Sequence, residues 1–451
     1  MNQGNSNSDS IQKIFEILEA DRVLNPKLNF SYNYETKFLK LSGLTKFPEI
    51  YDFGAEIEIL DISNGQLTEL PLDFKAFKAL KVCFLSFNDF TSLPDVLGQL
   101  PNLEIIGARS CKITTIPDQS LPKKLRWLTL TDNLIEKLPS AIGQCTNLQK
   151  LLLAGNQLTD LPETISNCKK LALLRISANK FSASPLRLLA KLPTLAWYSD
   201  AGNPHSYEPN LNQFKPESFS WNDLKLGEKI GESAQNQVYN AEILSTGQVV
   251  AVKIYGNQIT SDGYPADEIK INLAIGDQPA VIKTIGEIKA APNHQKALIM
   301  QLIQPDFKKL GLPPNFETCY RDTFTNEAKF SLDFISKLLF EVSHTCAMLQ
   351  TKGITHGDLY AHNILVNQAG QIFLADFGAA SFSTQPESTI KASIEVAAFG
   401  YLITDLLAHC ETIATLKYQA LNQIADQCLN HIPQNRPSFA TLSRMLGSLQ
   451  T

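Results

Sequence analysis

The sequence predicts an α/β solenoid of tandem repeats in its first half, followed by a separate α+β domain. Three observations carry this reading. Prolines recur at Pro48, Pro71, Pro94, Pro117, Pro139, Pro162 and Pro185, at spacings of 23, 23, 23, 22, 23 and 23 residues. A fixed period in the range of about 20–50 residues marks stacked repeats, because one such unit cannot bury its apolar face alone. From Asp223 the pattern changes to alternating strands, DLKLGEKIGESAQNQVYNAEILSTGQVVAVKIY, with a turn at Thr246-Gly247. The length of 451 residues also exceeds the roughly 100–200 residues of one domain.

In chain order, SIQKIFEILEADRVL (10–24) places Ile11, Ile14, Phe15, Leu18 and Val23 at helical spacing, which predicts a helical N-terminal cap within residues 1–36. The repeats occupy 37–204. Two successive units read RWLTLTDNLIEKLPSAIGQCTNL (126–148) and QKLLLAGNQLTDLPETISNCKKL (149–171). Within a unit, Leu128, Leu130, Ile135 and Leu138 point inward, and Asn133 is placed to bond backbone groups along the stack. Asn88, Asn156 and Asn179 hold the same position, Cys111 replaces the asparagine once, and Ser42 and Gly65 depart from the pattern. These segments resemble leucine-rich repeats. That resemblance implies a concave binding face formed by strand residues between the inward leucines, including Phe84, Phe87, Arg109, Trp127, Thr129, Asp132, Lys150 and Arg175. Aromatic and arginine side chains dominate binding hot spots, so Phe84, Arg109 and Trp127 are the candidates for contact with a protein partner. Residues 205–219, with Pro209 and Pro216 and no regular period, read as a linker.

Residues 220–451 form the second domain. Gly231, Ser233 and Asn236 are spaced small residues on a predicted hairpin, and Val238 and VAVK with Lys253 follow. Further on, GITHGDLYAHNILVNQAGQIFLADFGAA (353–380) sets His356, Gly357, Asp358, Leu359 and Asn363 ahead of Asp376, Phe377 and Gly378. This series resembles the glycine-rich loop, strand lysine, catalytic loop and metal motif of the protein kinase family. The fold implied for the whole chain is an α/β leucine-rich repeat solenoid followed by an α+β bilobal protein-kinase-like fold.

The same resemblance implies ATP and Mg²⁺ as cofactors. Phosphoryl transfer depends on charge placement. Lys253 would meet the α and β phosphates with Glu268 as its acid partner, since Glu242 lies too early and Glu287 past the helix. Asp358 would orient the acceptor hydroxyl, and Asn363 and Asp376 would hold Mg²⁺, a cation suited to a few oxygen ligands. Gly231 and Ser233 would cover the phosphates; Val238, Ala251 and Leu365 would enclose adenine; Met300 would stand behind it. Gln301 to Ile303, with Leu302 central, would be the hinge. His356 is expected beneath Phe377, and Glu395 in place of the aspartate that steadies the catalytic loop.

Three departures from the family pattern bear on function. Gly357 stands where an arginine clamps a phosphorylated activation loop. Tyr360 and His362 occupy the usual places of a catalytic-loop cation, which His362 or another cation would have to replace. Only 18 residues, FGAASFSTQPESTIKASI, separate Asp376 from Glu395, with Gln385-Pro386-Glu387 as a remnant docking motif and Glu387 as the expected partner of Arg436. The HGDL form is also similar to small-molecule phosphotransferases of the same fold. The leading expectation is a Ser/Thr-type protein kinase whose repeats recruit partners; a nucleotide-binding pseudokinase scaffold and a small-molecule phosphotransferase are the alternatives.

Composition narrows the partners. A net charge of −5 does not suit nucleic acid, which calls for a basic surface. Eight cysteines without C-x-x-C spacing read as buried thiols in a reducing compartment. The N-terminus has no basic segment followed by an apolar core, and EVAAFGYLITDLLAHC, interrupted by Glu395 and Asp405, is too short to span a membrane. A cytoplasmic protein without a membrane span is expected.

Overall fold

The computed structural model describes residues 3–210, 214, 217–233, 235–289, 291–413 and 415–450. The chain separates into two compact units, one of residues 1–174 and 179–192, the other of residues 175–178 and 193–451.

The repeats build a sheet whose strands run in sequence order. After helix α1 (Gln3–Leu24) come β1 (Asn29–Asn33), β2 (Phe38–Ser42), β3 (Ile59–Asp61), β4 (Val82–Phe84), β5 (Ile105–Gly107), β6 (Trp127–Thr129), β7 (Lys150–Leu152), β8 (Leu173–Arg175), the short helix α2 (Leu186–Leu189) and β9 (Trp197–Ser199). β1 and β2 are antiparallel, whereas β2 to β7 pair in parallel, each with the next. Leu39, Leu60, Cys83, Ile106, Leu128 and Leu151 align across this register and are fully buried. The repeat prolines act as extended N-caps for short 3₁₀ helices, as at Pro71, Pro94, Pro117, Pro139 and Pro162. A proline fits there because its missing N–H has no helical partner to lose.

Buried asparagines join successive repeats. Asn133 accepts from the backbone N–H groups of Cys111 and Ile113 at 3.0 and 2.9 Å, and donates to the carbonyls of Ala108 and Leu130. Cys111 fills the position with a thiol that donates to Leu85 O at 3.2 Å. Gly65 suits the first turn because a Cβ there would stand 2.6 Å from Asn88 Oδ1. In α1, Ile11, Ile14 and Leu18 are buried as expected, but Val23 is 81% exposed: the helix ends one residue later, beyond the surface that its core-facing residues cover.

The second unit contains a six-stranded sheet of order β10-β14-β15-β13-β12-β11. Its strands are β10 (Glu217–Phe219), β11 (Leu224–Glu232), β12 (Asn236–Ile243), β13 (Gln248–Tyr255), β14 (Thr284–Ile288) and β15 (Lys296–Gln301), with helix α3 (Pro265–Ile275) between β13 and β14. There follow β16 (Lys308–Lys309), α4 (Leu332–Thr351), β17 (Ile354–Thr355), β18 (Ile364–Val366), β19 (Ile372–Leu374), β20 (Ser381–Phe382), α5 (Glu387–Ala408), α6 (Leu416–Cys428) and α7 (Phe439–Gly447). A strand-rich part therefore precedes a helix-rich part, the order of a bilobal kinase fold.

The linker expectation needs correction. Residues 211–213, 215 and 216 lie outside the described residues, but Glu217 to Phe219 form a strand parallel to β14. The compact unit also begins earlier than residue 220, because Pro193 to Ser199 and Arg175 to Ala178 pack within it.

Candidate active site

A cleft of about 800 Å³ is lined by Gly231, Val238, Ala251, Lys253, Glu268, Met300, Gln301, Leu302, Ile303, Leu374, Asp376 and Phe377, among others. It falls within the roughly 300–1,000 Å³ typical of small-molecule sites. Each wall traces to a local element. Gly231 and Val238 are cross-strand partners in the β11–β12 hairpin, and Ala251 and Met300 are partners between β13 and β15. Ser233 closes the hairpin tip: its hydroxyl accepts from the Asn236 N–H at 3.1 Å, and its own N–H donates to Asn236 O at 2.8 Å.

The expected position of Leu365 changes. Its strand β18 lies between β16 and β19, and among the described residues Leu374 of β19, not Leu365, contributes to the cleft wall.

Lys253 extends from β13 to Glu268 of α3 at 2.5 Å, and the Tyr255 hydroxyl donates to the same Glu268 oxygen at 3.1 Å. Proline in the first turn sets the start of α3. Desolvation opposes the charge of Lys253, but Glu268 and Asp376 outweigh it and raise the lysine pKa. Asp376 faces the open cleft and has a left-handed backbone, φ 59°. Desolvation by the surrounding protein works against its charge; Lys253 and the Gly378 N–H prevail and hold its pKa below the usual carboxylate range.

The β18–β19 hairpin brings the two ends of the second motif together. Asn363 donates through Nδ2 to Asp358 Oδ2 at 2.8 Å and Asp358 O at 2.9 Å, while its carbonyl accepts from the Ala375 N–H. With both amide hydrogens directed to Asp358, the side-chain oxygen of Asn363 is the group suited to a hard cation. Together with the ionised Asp376 it fits Mg²⁺ chemistry.

His356 is fully buried and 4.6 Å, ring to ring, from Phe377. Burial pushes its pKa down to about 4, so the neutral ring donates from Nε2 to Ala375 O and accepts the Asp358 N–H on Nδ1. Glu395 Oε1 accepts the Gly357 N–H at 2.7 Å.

Three other expectations are overturned. His362 is engaged by Asp322, at 2.6 Å from its ring and 3.1 Å from its backbone N–H. Arg436 directs its N–H groups to the carbonyls of Pro193, Ser393 and Asn430 and forms no ion pair with Glu387. Glu387 instead begins α5, which starts well before Glu395, so the segment after Asp376 is confined to 377–386.

Arg175 departs furthest from expectation. It is 2% exposed instead of open on a concave face, and its guanidinium binds Asp358 Oδ1, Gly357 O at 2.8 Å and Asp262 Oδ1 at 2.9 Å. The only sequence signal for it was indirect: no arginine or lysine stands at 357, 360 or 362. Phe84 and Trp127 are also less open than expected. The Phe84 ring lies over Gly107, where a Cβ would be 2.7 Å from it, and the Lys150 ammonium sits 3.9 Å above the Trp127 ring.

Comparison with known proteins identifies two families along the chain. Residues 224–415 match the protein kinase domain family, and residues 123–181 match the leucine rich repeat family. CTD kinase subunit alpha of Schizosaccharomyces pombe is 27% identical over 165 residues, which are 36% of this chain and 25% of that protein. Cytokinesis protein sepH of Aspergillus terreus is 28% identical over 169 residues, 36% of this chain and 11% of that protein. The matched stretch thus spans a quarter or less of either relative's length. With the repeat sheet and the two-part second unit, these matches show that the chain joins leucine-rich repeats to a protein kinase domain.

Proposed function

We propose that this chain is an active ATP- and Mg²⁺-dependent kinase that transfers the γ-phosphate to a serine or threonine hydroxyl of a protein. The observation that carries the reading is that Lys253, Glu268 and Asp376 line one cleft, while the hydrogen-bonded pair Asp358–Asn363 is tied to the residue before Asp376, where the Ala375 N–H donates to Asn363 O. Buried charges are costly unless paired, and retaining Lys253 with Glu268, and Asp358 with Arg175, supports a site that uses them.

Lys253 orients the nucleotide phosphates while Glu268 keeps the ammonium charged and aimed. Asn363 and Asp376 would hold Mg²⁺, which when bound supplies positive charge against the phosphate oxygens. Asp358 accepts a hydrogen bond from the incoming hydroxyl and fixes its line of approach. The new oxygen–phosphorus bond forms as the bond between the γ-phosphorus and the bridging oxygen breaks, ADP departs, and the hydroxyl proton is released through Asp358. Gly231, Ser233, Val238 and Ala251 close over the nucleotide, with Gln301 and Leu302 at the base edge and Met300 behind it.

The repeats recruit a protein partner through the strand face that carries Phe84, Arg109 and Trp127. Free, mostly buried cysteines support a reducing compartment such as the cytoplasm, and among the described residues no helix is long and apolar enough to cross a membrane.

The test is incubation of the full chain with labelled ATP and Mg²⁺, with dephosphorylated casein as acceptor, beside Asp358→Asn. Transfer to casein serine or threonine, lost in the variant while ATP binding persists, supports the reading. ATP binding without transfer indicates a scaffold, and labelling only of added aminoglycoside or choline indicates a small-molecule phosphotransferase.

A further inference from the structure

The catalytic loop lacks an arginine or lysine of its own, and the structure supplies an arginine from a distant part of the sequence. Tyr360 is stacked on Trp197 at 4.4 Å, and His362 is taken up by Asp322. Gly357 has no room for a side chain. Its φ is +75°, and a Cβ would lie 2.5 Å from Ala379 O and 2.8 Å from Tyr198 O. The guanidinium that meets Asp358 is that of Arg175, 183 residues earlier.

We propose that Arg175 is a positioning residue of the phosphotransfer site, holding the catalytic-loop aspartate in its working orientation in place of the missing loop arginine and activation-loop phosphate. This rests on the kinase reading above. Arg175 takes Asp358 Oδ1 while Asn363 takes Oδ2. The carboxylate is therefore gripped at both oxygens, and a lone pair remains for the acceptor hydroxyl. A second bond from Arg175 to Gly357 O fixes the loop backbone beside it. Asp262 completes the anchorage at Nε. The planar fork of arginine suits this arrangement, since one rigid group addresses three oxygens at once.

Neighbouring contacts brace the same loop and the short segment after it. Trp197 Nε1 donates to Leu359 O at 3.1 Å. Lys391, itself buried, bonds Asp200 at 2.6 Å and the Ser381 hydroxyl at 3.0 Å. All of these residues lie in the unit that contains the kinase domain. The loop is held by permanent side-chain contacts where a phosphate would otherwise be required, so the site is set without a phosphorylation event.

The experiment compares the full chain with Arg175→Gln and Arg175→Lys, using casein and ATP and measuring kcat, the KM for ATP and the unfolding midpoint. For Gln we expect kcat to fall about 10²-fold, as lost orientation of a reacting group commonly does, with the ATP KM within about threefold. Lysine, which keeps the charge, is expected to recover about tenfold of that loss. Unchanged kcat in the glutamine variant overturns the proposal, and a rise would show that Arg175 is a lock. A parallel fall of kcat, ATP affinity and stability with no recovery by lysine shows a structural bond only. If Arg175→Gln does not fold, Asp262→Asn removes the other anchor and leaves Asp358 intact; kcat at least about fivefold lower is expected, and wild-type kcat overturns the idea. An inactive wild-type chain refutes the kinase reading itself, whereas an active wild type with an equally active Arg175→Gln refutes only this role.

Discussion

Replacing Glu395 with glutamine is expected to stabilise the kinase-containing unit above pH 7 and to have little effect near pH 5. Glu395 lies on α5 with its carboxyl buried and one oxygen on the Gly357 N–H. Burial pushes its pKa up to about 7, from an ordinary value of 4.5. Between those two values the folded chain binds the proton more tightly than the unfolded chain does. Stability is therefore fully present below about pH 4.5 and is lost as pH rises to about 7. At about 1.4 kcal/mol for each pH unit in that window, the loss above pH 7 is about 3 kcal/mol. Glutamine keeps an oxygen acceptor for Gly357 and has no proton to lose. For a unit of this size, 1 kcal/mol moves the unfolding midpoint by roughly 2–4 °C, so the variant should melt several degrees above wild type at pH 8. The assay is thermal unfolding of both full chains at pH 5, 6, 7 and 8. A difference that is constant with pH, or that favours wild type as pH rises, refutes the reasoning.

Lys253→Met should lower ATP turnover at least about 100-fold, because it removes the preorganised cation. It should also cost about 3 kcal/mol of stability, since among the described residues Glu268 keeps only the Tyr255 hydroxyl as a side-chain partner; ADP release and denaturant unfolding check both, and near-wild-type values would exclude a nucleotide role for the pair. Gly357→Arg restores the residue that the kinase resemblance expects, yet it should unfold the loop instead of improving it. The positive φ and the 2.5 Å approach to Ala379 O predict a loss of about 2 kcal/mol or more, measured by denaturant unfolding, and a stable variant with wild-type activity would contradict the packing described here.

The sequence by itself determined both architectures and the local motifs of the candidate site. A 23-residue period implies a stacked sheet because each unit must bury its leucines on the next, and the buried register from Leu39 to Leu151 follows from that requirement. Lys253, Asp358, Asn363 and Asp376 were legible because each sits on a short local element whose spacing carries the signal. The pair Lys253–Glu268 was legible for a similar reason, since one strand and the following helix contain both.

Tertiary structure alone decided what the loop does without its own arginine. Arg175 reads as one more outward repeat residue, and nothing in the spacing of its repeat points to a distant partner. Its role arises only when a contact spanning 183 residues brings it to Asp358, and such long-range pairings leave no periodic trace in the chain. The same holds for Asp322 claiming His362 and for carbonyls, not Glu387, claiming Arg436. A charged group's partner depends on which oxygens folding delivers to it, and local spacing does not encode that.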